Sequence, residues 1–140
     1  MTKGDELGKA SQPRIEEVLG PLAGPIVRTV SDHGEATVSA VRDALEARSG
    51  RPHAYTTVMT VMARLHDRGL LDRTMRGRHY VYRTAAPEAQ LIERLSGRAV
   101  DQLVARYGTA ALRHFADRLQ DLEPSIRADL MKLAAGRRKA

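Results

Sequence analysis

The 140-residue chain reads as mainly α, with one small β-hairpin set between a trio of helices and an all-helical tail. Three observations lead to this. Before residue 70, apolar residues recur at i, i+3, i+4 and i+7, the spacing of one helix face. Gly77 lies between two segments, the second of them rich in β-formers, as in a hairpin. From Leu91 to Leu133 the apolar residues again keep helical spacing. A hydrophobic share of 42% beside 29% charged residues fits a soluble globular chain.

Residues 1–18 read as a flexible, polar N-terminal extension, relieved only by an apolar turn of Ile15, Val18 and Leu19 that can pack on the body. The first helix is expected from about Pro21 or Pro25 to Asp32. A proline is tolerated in a first helical turn, and Gly34 ends the segment. Thr37 reads as the N-cap of a second helix, in which Val38, Val41 and Leu45 share a face and which Gly50 stops. A third helix is expected over Tyr55–Arg68. Val58, Val61, Met62 and Leu65 form its core stripe, while Thr56, Thr60, Ala63 and Arg64 lie opposite, flanked by Thr57, Met59 and Asp67. Gly69 closes it. "LLDRTM" and "HYVYR" then pair as two strands across Arg76, Gly77 and Arg78.

"TAAP" leads into the tail. Leu91, Leu95, Ala99, Leu103 and Tyr107 repeat every four residues; Gly108 breaks the run. Leu112, Phe115, Leu119 and Leu122 make a second stripe, and Pro124 opens a third with Ile126, Leu130 and Leu133. The expected organisation is therefore a flexible 1–18, a helix-and-hairpin unit over 19–84, a helical region over 85–136 and a frayed tail at 137–140.

Charge is unevenly spread. The net charge is +6, yet residues 51–83 alone carry seven arginines against two aspartates. A concentrated positive field suits a polyanion, most simply nucleic acid. Three helices followed by a hairpin is the order of a winged helix-turn-helix, whose third helix enters the major groove. Threonine can donate, accept or meet a thymine methyl there, and arginine can grip guanine or phosphate. The third helix is thus expected to turn one face to the protein and the other to DNA. Arg76 and Arg78 at the hairpin tip would meet the flanking backbone. Arg64 has an alternative, pairing with Asp67 or Asp72. Tyr80 and Tyr82 read as strand-packing residues rather than base-stacking platforms.

With no cysteine, the chain has no disulfide framework, thiolate metal site or cysteine nucleophile. His33, His53, His66, His79 and His114 show no metal-ligand spacing, so neither a metal nor a cofactor is expected. No P-loop, GxSxG or dinucleotide fingerprint is present, and no enzymatic activity is expected. No apolar run approaches the ~20 residues of a membrane span, and the N-terminus lacks a signal-peptide core, so a cytoplasmic location is expected without membrane insertion. In the tail, Leu91, Leu95, Leu103, Leu112, Phe115, Leu119, Ile126 and Leu130 carry more apolar surface than a small helical tail can bury by itself. A two-fold dimer covers such faces.

"YTTVMTVMARLHDRGLL" followed by "RGRHYVYR" resembles the penicillinase-repressor family (BlaI/MecI/CopY), particularly its actinobacterial branch. "LGPL", "GEATVSAVRDAL" and the helical tail match further segments in order, so the resemblance covers residues 19–135. It implies a homodimeric repressor with an N-terminal winged helix, a C-terminal dimerisation region and inverted-repeat operators in double-stranded DNA. Family contacts carried onto this sequence fall on Thr56, Thr57, Met59, Thr60 and Arg64, with Tyr55 at the head of the same helix and Arg76 and Arg78 on the wing. Ala23 and Pro25 stand where the family usually has acidic residues, and Ser31 where it has tryptophan, which implies a shorter, differently packed first helix. The cysteine-rich end of the copper-responsive branch is absent, which excludes that route to copper sensing. In the antibiotic-responsive branch a membrane-bound sensor protease cuts within the dimerisation region. Such a protease is a candidate partner, and release is expected through loss of the dimer or through proteolysis on an unidentified signal. A basic nucleoid-type or RNA-associated protein of low sequence specificity, and an adaptor whose hairpin binds an acidic protein, are the rival readings.

Overall fold

A computed structural model describes residues 13–138. The expectations for residues 1–12 and for the last two residues lie outside that span. Two compact units are present: Pro13–Leu95, and a helical one from Ser96 onward.

In the first unit, α1 (Ile15–Leu19) is one short turn that buries Ile15 and half-buries Leu19, while Val18 faces outward. α2 (Ala23–His33) carries Pro25 in its first turn, where the missing N–H costs little, and ends at Gly34, whose φ is +78°. Gly24 is needed for a different reason. A Cβ there would stand 2.5 Å from the Cα of Glu16, so α1 lies backbone-to-backbone on α2.

α3 (Val38–Ser49) begins where the Thr37 hydroxyl accepts the Ala40 N–H at 3.2 Å, and it ends at the left-handed Gly50. α4 (Tyr55–Asp67) buries Val58, Met62 and Leu65, with Val61 half-covered. β1 (Leu71–Arg76) and β2 (His79–Thr84) pair antiparallel in the register Leu71↔Thr84 to Arg76↔His79. Only Gly77 and Arg78 are left for the turn, and the positive φ sits on Gly77, the position type II′ hairpins give to glycine.

The hairpin is tied back to the helices. Ala36, in the α2–α3 connection, exchanges two backbone hydrogen bonds of 2.9 Å with Tyr82. Tyr82 is thereby drawn into the core, alongside Ile26, Val30, Val41, Met62, Leu70 and Leu71.

α5 (Glu88–Tyr107) starts inside this unit. Leu91 and Leu95, expected on the dimerisation face, are 1% and 7% exposed and belong to the same core. Ala85 and Ala86 pack against it too, and the Ala85 N–H donates to the Leu70 carbonyl at 3.1 Å. The boundary read at residues 84/85 therefore lies within a compact unit that continues to Leu95. The "TAAP" segment is packed rather than a free linker, because the first turns of α5 supply apolar cover that four short helices and a hairpin lack.

Across the start of α5 runs an ionic clasp. Arg28 donates through Nε to Glu16 Oε1 and through Nη2 to Glu88 Oε1, both at 2.6 Å, and Glu88 Oε1 also accepts the Ile15 N–H at 2.9 Å. Arg28, first through Glu88 and then through Glu16, is held further into its charged form; Arg28, and then the Ile15 amide, hold Glu88 below the usual carboxylate range.

In the second unit α5 continues to Tyr107, followed by α6 (Thr109–Gln120) and α7 (Pro124–Arg138). Gly108, at φ +65°, makes the break between α5 and α6. Among the described residues of this unit Leu122 is buried, while Leu119 and Ile126 are half-buried. Residues 137–138, read as frayed, form the last positions of α7.

Candidate nucleic-acid interface

Helical spacing splits α4 into two faces. Opposite its buried stripe, Thr56, Thr57, Met59, Thr60 and Arg64 are all exposed. Thr56, Thr60 and Arg64, at i, i+4 and i+8, form one continuous row. Tyr55 at the head of the helix is half-buried, with the Arg42 guanidinium of α3 5.8 Å from its ring centre. Arg64 makes no ion pair among the described residues. Asp67, one of its two alternative partners, lies 3.4 Å from His66 Nδ1 instead.

The wing presents its arginines unequally. Arg78, second residue of the turn, is exposed and has no hydrogen-bond or ionic partner among the described residues. Arg76 is different. Its guanidinium grips Glu35 through two hydrogen bonds, Nη1 to Oε1 at 2.8 Å and Nη2 to Oε2 at 3.3 Å. That grip holds Glu35 below the usual carboxylate range. Arg73 on β1 lies 4.1 Å over the Tyr80 ring and donates to the Tyr82 hydroxyl at 3.4 Å, stiffening the hairpin.

Between α4 and the wing opens a cavity of about 310 Å³, lined by Thr37, Val38 and Ser39 at the start of α3, Tyr55 and Met59 of α4, and Arg78 to Tyr80 with Tyr82 of the hairpin. A helix row, a free cation and a hydroxyl-lined groove thus adjoin one another. Such a surface can meet base edges and phosphates together. Among the described residues no group of histidine and carboxylate side chains is arranged to hold a metal ion, and no helix is long and apolar enough to cross a membrane.

In the second unit many of the large apolar side chains face outward. Leu103 and Leu112 are each 51% exposed and Phe115 is 62% exposed; Leu130 is exposed as well. So are Val100, Tyr107, Met131 and Leu133.

Comparison with known proteins decides the family. The family model described as "Penicillinase repressor" matches residues 19–135. The chain belongs to the penicillinase repressor family. It is 37% identical over 123 residues to the transcriptional regulator BlaI of Mycobacterium tuberculosis, found alike in strains CDC 1551 and H37Rv, covering 81% of this chain and 86% of that protein. Among solved structures, YusO from Bacillus subtilis gives a TM-score of 0.46 at 17% identity, covering 97% of this chain and 89% of that one. BpsR of Bordetella bronchiseptica, solved in work on regulation of its DNA binding by 6-hydroxynicotinic acid, gives 0.41 at 19% identity, covering 99% and 95%. These are distant likenesses. The chain is a transcriptional regulator of the repressor type and not an enzyme.

Three features of the hairpin and its anchorage escape a sequence reading. The Ala36–Tyr82 bridge is a single residue long and leaves no alternating pattern. The Glu35–Arg76 pair spans 41 positions, so no local charge pattern reports it. Arg73 stands directly opposite Tyr82 in the register, and Tyr80, two residues before Tyr82 on the same face, is its diagonal neighbour, so the stacking of Arg73 on Tyr80 depends on a register the sequence alone does not state.

Proposed function

We propose that the chain is a dimeric, sequence-specific repressor that binds an inverted-repeat promoter operator. In each half-site α4 enters the major groove, presenting Thr56, Thr57, Met59, Thr60 and Arg64 to base edges, while Arg78 rests on flanking phosphate. The carrying observation is the exposed Thr56–Thr60–Arg64 row directly opposite the buried Val58–Met62–Leu65 stripe. Packing fixes one face of the helix and so presents the other rigidly, which direct readout requires. Tyr55, half-covered at the helix start, borders the groove between α4 and wing.

Self-association is supported by Leu103, Leu112, Phe115 and Leu130, exposed apolar side chains on three helices, with Leu119 and Ile126 half-covered beside them in the sequence. Two subunits related by a two-fold axis would set two α4 helices one or more helical turns of DNA apart, ~34 Å per turn. A single subunit holds half of those contacts and binds far more weakly. Anything that separates the subunits therefore releases the promoter; a signal-dependent sensor protease cutting the tail is one such means.

Competition binding tests the proposal. The chain's own upstream region should be preferred over random duplex by ~10³ or more. Equal affinity for both would assign it to the low-specificity nucleoid type. No shift of any duplex at any salt would assign it to the adaptor reading.

A further inference from the structure

The two wing arginines are chemically alike but not equally available. Among the described residues Arg78 has no partner, whereas both outer nitrogens of Arg76 are committed to the carboxylate of Glu35. Glu35 is not a loosely placed surface acid. It directly precedes Ala36, whose two backbone hydrogen bonds to Tyr82 fix the connection against β2. Arg76 is the last residue of β1 and is registered against His79 across the turn. Both ends of the pair therefore rest on hydrogen-bonded backbone, which holds the two residues within reach of each other, and a two-bond guanidinium–carboxylate grip results on the exposed surface. Arg83 adds attraction for Glu35 without bonding to it.

A sequence-specific binder has to limit its attraction to phosphate in general, because every duplex offers phosphate and only the operator offers the right bases. An arginine at a wing tip strengthens binding to all sequences alike. We propose that Glu35 is a specificity-determining residue, which holds Arg76 away from the DNA backbone and so keeps sequence-independent affinity low. The inference rests on the reading that the hairpin lies along duplex DNA. Arg78 is then the principal wing contact to phosphate, and Arg76 is withheld from the count of neutralised phosphates.

The test uses the full chain and measures binding to a random-sequence duplex and to the promoter fragment across a salt series. Glu35→Gln removes the charge while keeping the shape. It should raise affinity for random duplex about 3- to 10-fold at low salt, steepen the log K against log salt slope by about 0.9, and lower the promoter-to-random ratio. Arg76→Gln alone should leave the slope nearly unchanged. Glu35→Gln combined with Arg76→Gln should behave like Arg76→Gln, since the gain must come from a released Arg76. If the gain survives in the double variant, it reflects general removal of negative charge and the inference is wrong. The inference also fails if Arg76→Gln flattens the slope as Arg78→Ala does, because Arg76 would then already be on phosphate. A fall in affinity on Glu35→Gln with an unchanged melting temperature contradicts it equally. A wild-type chain that binds no duplex would remove the DNA-binding reading itself, a result distinct from these.

Discussion

Arg28 and Glu88, sixty positions apart, meet at 2.6 Å on one carboxylate oxygen that also accepts the amide of Ile15. One side chain thus ties α1, α2 and the first turn of α5 together. Folding lowers the Glu88 pKa. Its contribution to stability is therefore complete above the unfolded value of about 4.3 and is lost as the pH falls through the lower folded value. Glu88→Gln keeps an acceptor for Ile15 but removes the charge. It should cost about 1–2 kcal/mol at neutral pH, less than a fully buried pair because solvent reaches the carboxylate. Urea unfolding at pH 7 and near pH 3 should show the gap between variant and parent closing in acid. A gap of equal size at both pH values would mean that the carboxylate charge is not what holds the clasp.

Gly24 tests how closely α1 is seated. Alanine inside a helix is ordinarily better than glycine by up to about 1 kcal/mol. Here the added methyl would meet the Cα of Glu16 at 2.5 Å and its carbonyl oxygen at 3.0 Å, and backbone cannot swing aside as a side chain can. The steric cost should win. Gly24→Ala is expected to lower stability by about 1–3 kcal/mol, seen as a reduced melting temperature. A rise would show that α1 leaves α2 at little cost.

The sequence carried a large part of this architecture. Gly34, Thr37, Gly50 and Gly69 mark helix ends that the structure keeps within a residue or two, because capping is a local matter and leaves local traces. The stripe on α4 was equally plain, since 3.6-residue periodicity says which side is buried. Leu91 and Leu95 were misplaced for the same reason. Periodicity shows that a helix has an apolar face and says nothing of which neighbour covers it. Their repeat runs unbroken into Leu103 and Tyr107, yet the first two turns of α5 complete the core of the winged unit while the later ones remain exposed. Ala36 and Glu35 were hidden for want of pattern. A one-residue bridge and an ion pair distant in sequence exist only once the chain has folded.

Helix and wing should fail in different ways when altered. Arg78→Ala should weaken binding to every duplex similarly and flatten the salt slope by about one unit. Thr60→Ala should instead relax base preference, costing about 1–3 kcal/mol at one position per half-site and leaving the slope alone. Binding measured against a set of singly substituted sites, at two or more salt concentrations, separates the two. Identical behaviour would overturn the division of labour between α4 and the hairpin tip.

The apolar stripes after the hairpin offer a contrast between two residues of opposite burial. Phe115 on α6 is 62% exposed, whereas Leu91 on α5 is 1% exposed in the core of the winged unit. Leu91→Asp places a charge in the core beside Ile15 and Val27, next to the Glu88 carboxylate and an Arg28 already engaged by Glu16 and Glu88, and should unfold that unit or cost several kcal/mol, since burying another carboxylate there is among the most damaging changes a core can receive. Aspartate at Phe115 leaves the core untouched, so helix content and the melting transition of the winged unit should persist. What it should remove is self-association, because two subunits related by a two-fold axis would bring apolar faces together and each would now carry a charge into that contact. Sedimentation equilibrium should then report monomers, and promoter affinity should fall by orders of magnitude while the weak affinity for random duplex changes little. A Phe115→Asp chain that still sediments as a dimer would move the interface to another part of the tail, and one that is monomeric but binds its promoter undiminished would show that repression here does not depend on pairing.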